Sequence, residues 1–163
     1  SVLLLGTASN HPSQPESQSI KLKRDSVYVK TSIFELVYSE ALEQPKWVKY
    51  TVKCPNGKAS RKGMEFYTND SIHTSDNFDY LNNIWDRGHM TPAADFNCDS
   101  VMLALKSTVS IIIKVKFSTT KLSTGATLPA GFYKFIAYGK VTEKYYFPNI
   151  APKYTDYKKY KIK

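Results

Sequence analysis

Apolar and polar positions alternate along several short stretches of this chain, and a period of two is what half-buried β-strands produce. Residues 27–32, 47–53, 110–117, 132–138 and 143–147 carry that pattern and are rich in the β-branched and aromatic side chains that a pleated surface favours. Cys54-Pro55-Asn56-Gly57 reads as a turn through its proline and Asn-Gly chemistry, and Tyr138-Gly139-Lys140 separates two of the predicted strands. Residues 67–83, dense in Asn, Asp, Ser and Thr, predict a long surface loop in which His73 faces solvent. One short helix is predicted over 99–106, capped by Asp99, and no internal repeat is present. The expected class is therefore α+β, mainly antiparallel β with few helices.

Length and composition bound the organisation. At 163 residues and 42% hydrophobic content, the chain can build one domain with its own core, but not two. Residues 1–8 are apolar with small side chains at Gly6 and Ala8, which reads as the remnant of a secretory signal peptide and predicts a secreted or periplasmic location. Residues 9–24 read as a flexible polar spacer, and 25–163 as a single domain whose last residues, 158–163, form a frayed basic tail. No apolar run is long enough to span a bilayer, so no stable membrane association is expected. Two cysteines, Cys54 and Cys98, exclude a disulfide-built scaffold, leave one pairing open in an exported chain, and without a nearby histidine pair do not make a zinc site.

Charge adds a partner class. A formal charge of +9 and a pI near 9.4 attract phosphate backbones, with binding that weakens steeply as salt rises. Tyr145-Tyr146-Phe147 either stacks on bases or fills the core, as alternating aromatics in a strand usually do.

The chemistry concentrates in Asp86-Arg87-Gly88-His89. Imidazole is the side chain whose ordinary pKa lies nearest neutrality, so His89 is the candidate general base that takes a proton from water. Arg87 carries a planar five-donor cation suited to a phosphate oxygen, while Asp86 accepts hydrogen bonds and orients its neighbours. Gly88 removes a side chain where a bulky polyanion must approach. The competing reading of the bare tetrapeptide is a solvated Asp-Arg pair beside a surface histidine.

The longer string, Asp86-Arg87-Gly88-His89-Met90-Thr91-Pro92-Ala93-Ala94-Asp95-Phe96, resembles the motif of the DNA/RNA non-specific endonucleases, the sugar-non-specific and endonuclease-G-like family with a ββα-metal (His-Me finger) site. Flanking stretches are similar too: 44–50 and 59–66 upstream, 128–135 and 146–149 downstream, so the likeness runs from about Phe34 to Asn149. The resemblance implies a magnesium-dependent enzyme acting on DNA and RNA, with His89 activating water, Arg87 gripping phosphate, Asp86 in support and Arg61 a further phosphate contact. The family continues from the Ala-Asp-Phe run into a long helix whose asparagine ligates the metal. This chain departs from that pattern, since no Asn lies between Cys98 and Pro148. A ββα-metal fold truncated in its helical part is therefore expected, with Asn97 the one substitute metal ligand on offer. Two function classes follow: a metal-dependent non-specific endonuclease, or a catalytically impaired homologue or fragment that at most binds nucleic acid.

Overall fold

The computed structural model describes residues 22–52, 71–75, 78–82, 84–85, 88–91, 108–149 and 158–163. The expectations for residues 1–21, the Cys54 turn, Arg61, Asp86, Arg87, Asn97, Cys98 and the helix over 99–106 lie outside the described residues.

Among the described residues, seven strands form one antiparallel sheet in sequence order: β1 Val27–Lys30, β2 Phe34–Ser39, β3 Gln44–Thr51, β4 Val109–Lys121, β5 Thr127–Tyr138, β6 Val141–Pro148 and β7 Lys161–Ile162. Among the described residues there is no α-helix, only 3-10 turns at Phe78–Tyr80 and 158–160. Each successive strand pairs with the one before it, and the connections are short except from β3 to β4 and from β6 to β7. β3 ends at Thr51 and β4 begins at Val109, and the histidine-bearing string lies between them in sequence.

Register assigns each side chain to a face. Val48 lies opposite Ile113 and Tyr50 opposite Ile111, and with Val109 these form a buried cluster that defines the core face. Phe34, Leu36, Val52, Phe132, Ile136 and Tyr138 pack against it. Strand alternation then sends Lys49, Ile112, Lys114 and Lys116 to the opposite face. Gly139, with φ 54°, lets the β5–β6 hairpin turn within two residues, because glycine takes that conformation without steric cost.

Two local expectations need correction. Residues 161–162 are not a frayed tail: they pair with β6, and the Lys161 ammonium lies 2.6 Å from Glu143. That ion pair, with the Tyr145 hydroxyl, holds the Glu143 carboxyl below the usual carboxylate range. The 67–83 stretch is not merely a surface loop, since Asp79 is buried and accepts a hydrogen bond from the Thr124 hydroxyl. His73 is exposed, as expected, and its Nε2 lies 2.7 Å from the buried Glu43 carboxylate.

Candidate functional site

Between β3 and β4, residues 71–75 are fastened to the sheet ahead of His89 in sequence. Glu40, buried in the β2–β3 turn, accepts hydrogen bonds from the Arg24 guanidinium at 2.6 and 2.9 Å, from the Arg24 backbone N–H at 2.7 Å and from the His73 backbone N–H at 3.0 Å. Those donors hold its carboxyl far below the ordinary glutamate range, the Arg24 side chain contributing most. The same guanidinium reaches the Ser71 carbonyl at 2.8 Å, and the Ser75 backbone N–H donates to the Tyr38 hydroxyl at 3.3 Å. Two buried acids, Glu40 and Glu43, thus bind Lys23, Arg24 and His73 to one turn of the sheet. A buried carboxylate left without such donors is strongly destabilising, which makes this junction a fixed point.

Beyond it, Asp79, Trp85, Lys121, Leu122 and Leu128 border an open depression of about 370 Å³ between the 79–85 segment and the β4–β5 hairpin. Trp85 immediately precedes the Asp86-Arg87-Gly88-His89 string in sequence.

At the string itself the chain is anchored again. Met90 packs against the Val48, Tyr50, Val109, Ile111 and Ile113 cluster, whereas His89, its neighbour, is exposed. Gly88 is exposed as well, and a Cβ placed on it would meet no atom within 4 Å. One apolar side chain therefore holds the backbone to the core face while the imidazole stays exposed, with open space at the neighbouring Gly88. Sequence reasoning misses the role of Met90, whose only signal is that of an isolated apolar residue inside a polar stretch.

Among the described residues no three His, Cys, Asp or Glu side chains gather into a set of metal donors. Of the residues expected at the site, the structure places His89. Asp86, Arg87, Arg61 and Asn97 lie outside the described residues.

Comparison with known proteins agrees with this picture. The family model described as DNA/RNA non-specific endonuclease matches residues 12–112. The mitochondrial nuclease EXOG of Danio rerio is 37% identical over 65 residues, a stretch that covers 37% of this chain and 19% of that protein. A crystal structure of the EndoG/EndoGI complex, which concerns the mechanism of EndoG inhibition, superposes with a TM-score of 0.65 at 20% identity, covering 83% of this chain and 80% of that one. At that identity the likeness is one of fold: a mostly antiparallel sheet of the endonuclease-G type, in keeping with the class expected from sequence.

Proposed function

The chain belongs to the DNA/RNA non-specific endonuclease family, and on that premise we propose that it hydrolyses phosphodiester bonds in DNA and RNA with His89 as the general base. The observation that carries this reading is the pairing of an exposed His89 with a core-anchored Met90, beside the open approach at Gly88. An imidazole so placed meets water and a polyanion together. Its neutral ring nitrogen takes a proton from a water molecule as the water oxygen bonds to phosphorus; the bond from phosphorus to the leaving oxygen breaks, and that oxygen takes up a proton. Fixing the base on a rigid sheet supplies orientation before the substrate arrives.

Arg87 is assigned to the phosphate oxygens, where its fixed cation stabilises the charge that builds as the water attacks, and Asp86 to orienting its neighbours. Arg61 is assigned a second phosphate contact. These three assignments follow from the motif and the family. Nucleases of this family generally use a divalent metal, and magnesium is the ion assigned to the reaction as charge neutraliser and template. Among the described residues no three His, Cys, Asp or Glu side chains gather to hold it.

The missing asparagine between Cys98 and Pro148 favours a second reading, a homologue that binds nucleic acid without cutting it. A supercoiled plasmid and a structured RNA, each incubated with the protein in magnesium and in EDTA, separate the two. Cleavage of both substrates in magnesium and of neither in EDTA is the outcome expected of a non-specific nuclease. Retention of both substrates on the protein, uncut in either condition, would establish the binding-only reading.

A further inference from the structure

The sheet has a second face, and its chemistry differs from that of the core face. Register places Trp47, Lys114, Tyr133 and Tyr146 directly opposite one another across β3 to β6. The neighbouring row on the same face is Lys30, Glu35, Lys49, Ile112, Phe135 and Lys144, and Lys116 sits opposite Gly131. Lys30, Lys49, Lys114, Lys116 and Lys144 are all exposed, while Glu35 is the acid this face carries among its described residues. Glu35 lies 3.3 Å from Lys49 and accepts a hydrogen bond from Tyr28, so it neutralises only part of that charge.

The aromatic rings are held in place between these cations. Tyr146 lies across Gly131, where an added Cβ would come within 2.6 Å of its hydroxyl oxygen, so the glycine leaves the groove that the ring occupies. Tyr133 packs against it at 4.8 Å between centroids. Lys116 reaches over the Tyr146 ring at 5.5 Å, and Lys114 over Phe135 at 5.8 Å. Trp47, Tyr133, Phe135 and Tyr146 are all half-buried, so each ring is fixed by the sheet and still partly open to solvent.

We propose that this lysine-aromatic face is a second nucleic-acid surface, taking an unpaired strand of DNA or RNA on the side of the sheet opposite Met90. Fixed, partly exposed rings offer stacking platforms that any base can use, and lysines interleaved with them track the phosphates. Lys114 and Lys116, two residues apart on one strand, stand roughly 7 Å from each other, a spacing suited to successive phosphates of an extended strand. Bases in a duplex are already stacked and paired, so this face discriminates against double strands. Half of the residue pattern is visible in Tyr145-Tyr146-Phe147: Tyr145 is buried, and strand alternation turns Tyr146 to the opposite face. The surface is independent of cleavage and holds its strand even if the chain cuts nothing.

The test is fluorescence anisotropy in EDTA with a labelled oligothymidylate and a blunt duplex of the same length, on the full chain and on Lys114→Gln/Lys116→Gln. The wild-type chain is expected to favour the single strand. The double variant is expected to lose roughly tenfold in affinity for it, and the slope of log affinity against log salt to shrink by about 1.4, the value for two phosphate contacts on a single strand. In a Trp85→Phe background, Trp47 is the remaining tryptophan, and stacking should quench its emission. His89→Ala should bind the oligothymidylate as the wild type does, which separates this surface from the proposed catalytic site. Equal binding of single strand and duplex, or a double variant with unchanged affinity and salt slope, would overturn the proposal. So would a dimer in sedimentation velocity that forms without nucleic acid and dissociates in the double variant, because the face would then be covered by a second copy.

Discussion

His89 is at the surface because the residue after it is not. Met90 contributes an apolar anchor to the Val48 and Ile111 cluster, and the stretch of backbone it fixes carries the imidazole with it. Met90→Ala removes most of that anchor; for a half-buried methionine the loss is about 1 kcal/mol, below the range for fully buried ones. Cleavage by Met90→Ala should fall by more than its thermal midpoint implies, whereas Met90→Leu, which nearly conserves volume, should spare both. Paired thermal melts and plasmid-nicking rates check this. His89 is legible in the sequence because Asp, Arg, Gly and His in succession are a chemical pattern that needs no structure. Met90 is not, because a lone apolar residue in a loop belongs to no period.

At the scale of elements, β4, β5 and β6 declare themselves through alternation, and the register bears out their assignment as strands. β2 is hidden because Val37 interrupts the polar side of Phe34–Ser39 and a bulge follows between Val37 and Tyr38. β7 is hidden because lysine-rich ends usually stay solvated, and its pairing depends on Glu143, far away in sequence. The buried acids are equally cryptic: Glu40 finds its donors 16 and 33 residues away. Since folding lowers the pKa of Glu40, its contribution to stability is complete above the ordinary glutamate value of about 4.3 and is lost as pH falls below it. Glu40→Gln should therefore melt lower than the wild type near neutrality, with the difference narrowing as pH is taken from about 5 to 2. Calorimetric midpoints across that window provide the readout. Gly131 offers a second element-scale test. An added methyl would lie 2.7 Å from the Phe147 carbonyl oxygen, a backbone atom that cannot swing aside. Gly131→Ala should push β5 from β6 and destabilise the sheet by about 1–3 kcal/mol, measurable by urea unfolding.

At the scale of the whole molecule, the described strands form a sheet with two chemically distinct faces. One is apolar and receives Met90 beside the exposed His89; the other is a lattice of lysines and aromatic rings. A net charge of +9 drives encounter with polyanions, so cleavage at subsaturating substrate should slow steeply as salt rises from about 50 to 200 mM, in the manner of phosphate-dominated binding. The role of His89 as the base is decided by the nicking rate of supercoiled plasmid in magnesium, compared between the wild-type chain and His89→Ala at equal folded concentration. Loss of about 100-fold or more, as for removal of a general base, with unchanged plasmid binding, is the expected result. Equal rates for the two proteins would contradict it and remove His89 from the reaction.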